Sequence, residues 1–479
     1  MLAQIMKYEW RNLQADRMPV AVVAILGMAI AYGAANGSSW VRFQQSNIDA
    51  VLAEQRARMV HLRGEIAKLN AGEKKVSAFA DPRLPQSFGR NMGVHYAVMP
   101  PSPLGSLAVG QTDLQPYYLK VSTNSKDTFL HNDEIENPVH LLAGRFDLAF
   151  AVLYLFPLVI LAFSYNIVSA EKEAGTLALA LSQPVGLGRL ITAKVILRAA
   201  LVFVVSILIA VAGVVAGGAP LGADGVVPRL LLWVGVTVLY GAFWFVLAIG
   251  TNALGRGSAT NAIVLAGFWL LLVVIIPSVL NVAVKAIYPV PSRIELIQAI
   301  RVAGEESTRE GSKLLARYLE DHPELAPAGG PGGAPDFGTL LVALNDATER
   351  KVQPVLARFD HQLKQQQQFV DRFRYVSPAI VAQAAIYDLA GSGAHRYQHF
   401  LAQVDAYHRR WREFLVPRIL KKEQLSGSDL DLLPQFNYQP EDSAAVLSRC
   451  MLALASLSVP LVLLGVPAVL ALRRYPVAG

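Results

Sequence analysis

Glu171, Lys172 and Glu173 come just before Gly175, Thr176 and Leu177 in the segment Ser169-Ala-Glu-Lys-Glu-Ala-Gly-Thr-Leu-Ala-Leu-Ala-Leu-Ser-Gln-Pro-Val185, with Arg189 and Lys194 following. The two carboxylates fall near the start of a short helix, where the helix macrodipole favours negative charge. Gly175 and Pro184 let the chain turn sharply on either side. The expected product is a rigid, charged hook. The plainer alternative is a solvated turn whose acids only cap a helix.

Other residues with chemical potential carry less. His395 and His399 are four apart on an expected helix, so they share a face, and His408 lies farther along. Two imidazoles at that spacing can bind zinc, but no third ligand is secured, and surface histidines are the better reading. Tyr397, Tyr407, Trp411 and Phe414 read as packing residues before a cargo box. No Gly-x-x-x-x-Gly-Lys-Ser/Thr loop is present to cradle phosphates. Leu425-Ser-Gly-Ser428 has the first residues of an ATPase signature but lacks the rest. No Ser, His and Asp arrangement can be assembled from sequence order. The chain is therefore expected not to be an enzyme by itself and to carry no metal or cofactor of its own.

The elements around the hook are set by composition. The chain is 53% hydrophobic and 16% charged, with a mean hydropathy of +0.37, outside the usual range for soluble proteins. Runs near 18 to 35, 147 to 168, 195 to 217, 230 to 250, 261 to 284 and 450 to 472 are each about 20 residues, enough to cross a bilayer. None has a charge at its centre. An Asp, Glu or His inside the membrane would be expected of an ion-coupled pump, so energy must arrive from elsewhere. The lone Cys450 forms no intrachain disulfide and reads as a small buried hydrophobe.

Orientation follows from Lys and Arg in the short connections. Lys7, Arg11 and Arg17, then Lys172, Arg189 and Lys194, then Arg256, then Arg473 and Arg474 all fall on one side. The opposite connection, 217 to 228, has Asp224 and no base before Arg229. Both termini are thus expected in the cytoplasm of a bacterial cell, with the chain in the inner membrane. The net charge of +7 partly reflects this bias and gives no reason to invoke nucleic acid. Small residues around Ala31 to Ala35 also fit a signal-peptidase site. Against cleavage stands the preceding stripe of Leu2, Ile5, Met6, Tyr8, Trp10 and Leu13, interrupted by Lys7, Glu9 and Arg11, which describes a helix lying at the membrane surface.

The expected fold is an all-α integral membrane protein. Residues 1–36 hold the interfacial helix and first span, and 37–145 an outer insert. Residues 146–284 hold spans two to five with the loop at 169–194, 285–448 a second outer insert, and 449–479 the last span and tail. In the first insert, Ile48, Leu52, Met59, Leu62, Ile66 and Leu69 recur at spacings near three and four, broken by Gln55, and prolong the first helix outward. The Pro-punctuated stretches 80–85 and 99–116 read as irregular or short-strand structure. The second insert reads as helices over about 292–322, 337–375, 379–390 and 395–424, with a flexible Gly- and Pro-rich tract at 326–335. Leu340, Leu344, Ala347, Val352, Val355, Phe359, Leu363, Phe369 and Phe373 line one face of the long helix. Ser377-Pro378 ends it.

The Glu171-Lys-Glu-Ala-Gly-Thr-Leu177 run, the second span leading straight into it, and Ser182-Gln-Pro-Val185, Arg189 and Lys194 after it resemble type-2 ABC transporter permeases. The branch with large extracytoplasmic inserts, which includes gliding-motility and copper-enzyme-maturation permeases, is the most similar. The match is good in the loop and topological elsewhere. The resemblance implies an ATPase subunit that binds ATP and grips Glu171, Lys172, Glu173, Gly175, Thr176, Leu177, Pro184 and Arg189, and a second permease, identical or paralogous. It also implies export of a substrate that the motifs do not reveal. A non-transporting scaffold, relaying ATPase motion to a partner beyond the membrane, is the alternative.

Overall fold

The computed structural model describes residues 2–15, 17–124, 146–183, 186–290, 293–322 and 337–475. Pro184 and the 326–335 tract lie outside them. The described chain is mostly helical, with one two-stranded sheet.

Six helices are long and apolar enough to cross a membrane: α2 (Arg17–Asn70), α3 (Leu148–Glu173), α5 (Leu187–Ala216), α6 (Val226–Asn252), α7 (Ser258–Ile287) and α13 (Ser443–Arg473). Each contains one of the runs read from the sequence. Helix α6 is central. Trp233, Val236, Tyr240, Trp244 and Ala248 repeat at three and four residues along it, and all are buried. That stripe meets α3 on one side and α13 on another. Helix α7 is the most bare, with 11% of its apolar window buried against 61% for α3. Gly33 lets α2 pass the start of α3, since a Cβ there would lie 2.7 Å from the Asp147 carbonyl oxygen. The short α1 (Leu2–Ala15) and α4 (Thr176–Leu181) lie at the end of the bundle where Arg198 and Tyr475 are found.

Helix α2 runs unbroken for 54 residues, about 80 Å at 1.5 Å per residue, far more than a bilayer requires. Its second half buries Ile48, Leu62, Ile66 and Leu69. The polar break in that seam has a cause: the Gln55 side-chain oxygen accepts the Tyr96 backbone N–H at 2.8 Å. Tyr96 belongs to β1 (His95–Val98), antiparallel to β2 (Tyr118–Val121) with His95 opposite Val121. The hairpin and α2 share a core with α12 (Ala394–Leu420), which contributes Phe400, Val404, Tyr407, Trp411 and Leu415. Tyr407 and Trp411 are thus core residues.

The expected helix over 292–322 is two, α8 (Arg293–Arg309) and α9 (Gly311–Asp321). Only residue 310 falls between them, and Gly311 packs beneath Leu340 and Leu344. In α10 (Phe337–Phe373) the expected stripe is buried or half-buried from Leu340 to Phe359, and the deepest residues include neighbours that were not in it. These deepest residues are Val342, Ala343, Ala347, Val352 and Leu356, while Leu363 and Phe373 are exposed. Residues 379–390, read as part of an outer helical insert, form α11 (Pro378–Ala390), which joins the core of the six long helices. Its Ala382, Ala385, Ile386, Leu389 and Ala390 are buried against α6 and α13.

His95 sits 4.8 Å from the Trp411 ring in the core shared by the hairpin, α2 and α12. Burial pushes its pKa below the ordinary 6.5, opposed by its bond to the Gly93 carbonyl and reinforced by the charge of Arg58. A base whose folded pKa is depressed stabilises the fold in full above its unfolded pKa and loses that contribution as pH falls through the folded one. The far region should therefore lose stability on acidification below about pH 6.5, and His95→Gln should flatten that loss. Thermal melts across pH 5 to 8 check this; equal slopes for the two proteins would contradict it.

Candidate functional site

Helix α3 loses its ladder at residues 165–168, and two asparagines of neighbouring helices make the substitute bonds. The Asn252 side chain donates to the Ser164 carbonyl at 3.0 Å and accepts the Val168 N–H at 3.3 Å. Asn261 donates to the Tyr165 carbonyl at 3.2 Å. Both asparagines are buried, so each unmade bond would be costly. Helix resumes over Ser169–Glu173, turns at Gly175 with φ at +69°, and continues as α4. A positive φ suits glycine, and no atom lies within 4 Å of a Cβ built there, so strain alone penalises substitution at Gly175.

The acids that drew attention in the sequence are engaged within the chain. Lys194 Nζ donates to Glu171 at 2.6 Å and to the Ile167 carbonyl at 3.3 Å. Glu173 accepts the backbone N–H of Ser258 at 2.6 Å and its hydroxyl at 2.8 Å, capping the start of α7. Ser169 and Ser258 hydroxyls lie 2.8 Å apart. Lys172 reaches the Gly255 carbonyl at 3.5 Å and lies over the Tyr475 ring at 5.8 Å. Leu177 is buried with Ile167, Val168, Ile191 and Tyr475 in a small core beneath the hook.

Of the residues singled out in sequence, Glu173, Gly175, Thr176 and Arg189 are exposed, and Ala178, Leu179, Ser182 and Gln183 are exposed with them. Leu179, 70% exposed, is the apolar knob of this face. It was not singled out from sequence, because Leu177, Leu179 and Leu181 alternate identically there. Ser258, Asn252 and Asn261 were also missed; polar residues at the very ends of apolar runs were the available signal. The geometry makes the hook a rigid platform fastened to α5 and α7, with a small, mostly uncharged outer face.

Fastening predicts a remote effect. Glu173→Ala should leave Ser258 N–H unserved and raise hydrogen exchange severalfold over the first turn of α7, 85 residues away in sequence. Unchanged exchange there would contradict the cap.

Helix α1 lies against α5 at the same end. Glu9, expected only to interrupt an apolar stripe, is 4% exposed and receives Arg198 Nε at 2.9 Å and a terminal nitrogen at 2.5 Å. Arg198 also donates to the Phe163 carbonyl at 2.5 Å, next to the Ser164 that Asn252 holds. Leu13 is buried beside this pair, while Tyr8 and Trp10 of the expected stripe face outward at 66% and 41% exposure.

The other candidates resolve into structure. His399 pairs with the Gln439 carbonyl at 3.1 Å and His408 with that of Asn124 at 2.9 Å. Among the described residues no group of three or more His, Cys, Asp or Glu is placed to hold a metal. Ser426, Ser428 and Asp429 bond one another in a local turn, and Leu425 N–H is held by the Arg83 carbonyl.

Residues 293–439 match a family described as a domain of unknown function (DUF3526), which covers less than a third of the chain and spans α8 to α12. No curated protein matches.

Proposed function

We propose that this chain is the membrane-spanning permease subunit of an ATP-driven ABC-type transporter, worked by a separate ATPase subunit that seats on the hook between α3 and α5. One observation carries the reading most. The hook is a preformed, braced element at the end of the bundle where Arg198 and Tyr475 are found, with Leu179 and its neighbours bare. A surface that is rigid yet unpartnered at its tip is what a moving partner would need in order to push. The Lys and Arg bias of that end supports a cytoplasmic position, and the bare faces of α5, α7 and α13 support lipid or a second permease around them.

In this reading ATP is bound by the partner, and the chain converts displacement of the hook into tilt of α3, α5 and α7. Two permeases, identical or paralogous, would flank a path in a bacterial cytoplasmic membrane for export of a substrate that the motifs do not reveal. A second reading, a scaffold that moves an extracytoplasmic partner without transport, is favoured by the direct packing of α11 into the helix bundle. Reconstitution of the complex in liposomes separates them. Cargo-dependent stimulation of ATP hydrolysis supports transport; a partner bound to the outer region with no flux supports the scaffold.

A further inference from the structure

Helices α3 and α7 carry the same break. In each, a π-helical stretch, Ala151–Leu155 or Leu270–Ile275, is followed at the second residue by proline, Pro157 or Pro277. The widened ladder is visible at the last amide before proline, where Phe156 N–H donates to the Ala151 carbonyl and Ile276 N–H to that of Leu271. The next rung needs an N–H that proline lacks. A carbonyl is left over in each helix, in apolar surroundings where an unmet acceptor is costly.

Neighbouring side chains meet that need. In α3, the Tyr240 hydroxyl donates to the Leu153 carbonyl at 2.9 Å and Trp269 Nε1 to that of Tyr154 at 3.3 Å. Both donors belong to the long helices. In α7 the donor comes from outside them: the Ser377 hydroxyl, just ahead of α11, reaches the Leu272 carbonyl at 2.5 Å. Ser377 is completely buried, and the same oxygen accepts the Ala379 N–H at 3.2 Å, capping α11. One hydroxyl thus completes two helices. The other end of α11 is tied to α13 and the chain before it, because Arg449 bonds Asp388 at 2.9 Å and Glu441 at 2.7 Å.

We propose that Ser377 is a strut through which the far region follows the bend of α7. The linkage is continuous from the hook. Glu173 holds the start of α7, Trp269 ties its middle to α3, and three residues on, Leu272 is held by the cap of α11. Bending α7 at its π-helical break moves the Leu272 carbonyl, and α11 must move with it or lose its partner. Ser377 is a positioning residue in this account. The use made of the motion rests on the transporter reading, but the strut needs no ATPase and is testable on the full chain alone.

The experiment is hydrogen exchange on the full chain in lipid nanodiscs, comparing Ser377→Ala, Ser377→Thr and Pro277→Ala. Ser377→Ala should speed exchange about tenfold both in the first turn of α11 and in α7 just beyond its break, and Ser377→Thr should restore both. Pro277→Ala lets α7 supply its own donor, so it should loosen α11 severalfold while α7 becomes more protected, and Ser377→Ala added to it should no longer affect α7. A change confined to α11 in Ser377→Ala would make the residue a local cap and overturn the strut. So would an unaltered α11 in Pro277→Ala, which keeps the test decisive if Ser377→Ala fails to fold. Absence of an ATPase partner would sink the transporter reading and leave these exchange results standing.

Discussion

Leu179→Asp should abolish binding of the proposed ATPase partner while leaving the chain folded. Leu179 is 70% exposed and supports nothing beneath it, so its replacement has little to disturb in the isolated chain. Seated in a partner's cleft, a leucine side chain contributes about 1.5–3 kcal/mol, and a carboxylate in its place adds a desolvation cost. Affinity should fall by about a hundredfold or more, since each 1.4 kcal/mol is a factor of ten. Leu177→Ala makes the useful contrast. Leu177 belongs to the small core with Ile167, Val168, Ile191 and Tyr475, so its loss should loosen the hook and lower thermal stability. Pull-down of the partner and a melting curve, run on both variants, separate the two roles. A Leu179→Asp protein that retains full partner binding would remove the hook's tip from the interface.

The second large effect is expected at Glu9. Removing one member of a buried ion pair costs about 3–5 kcal/mol, because the remaining charge is stranded. Glu9→Ala strands Arg198 between α1 and the Phe163 carbonyl. Helix α1 should detach, Lys7 and Arg11 should become sites of rapid proteolysis, and the melting temperature should drop. The double change Glu9→Ala with Arg198→Leu should recover much of the loss, since no charge is then left behind. If the double variant were as unstable as the single one, the pair would be a packing contact and not an electrostatic one.

Much of this architecture is legible in the residues, and what is hidden has a common reason. The apolar runs and the seam of Ile48, Leu62, Ile66 and Leu69 are periodic signals contained in single segments, and they correspond to α2 and the other long helices. The Gly175 turn and the break at Ser377-Pro378 are local backbone chemistry and are read just as directly. The bonds of the hook are not local. Glu171 meets Lys194 across 23 residues and Glu173 meets Ser258 across 85, so a single segment does not show that these acids brace the loop as well as charge it. Glu9 is 189 residues from Arg198, and nothing in a single amphipathic stretch distinguishes an interrupting charge from a buried one. Ser377 likewise shows only as a helix breaker; its second role depends on a proline 100 positions earlier in the chain.

In the transporter reading an ATP-hydrolysing partner holds the hook at the end of the bundle where α1 and Tyr475 lie. The most direct measurement is photo-cross-linking from a reactive group placed at residue 179 of the full chain in its native membrane, followed by identification of the adduct. A single dominant adduct with an ATP-hydrolysing subunit, lost on Leu177→Ala, is the expected result. Cross-links to lipid alone, or to a protein on the opposite side of the membrane, would contradict it.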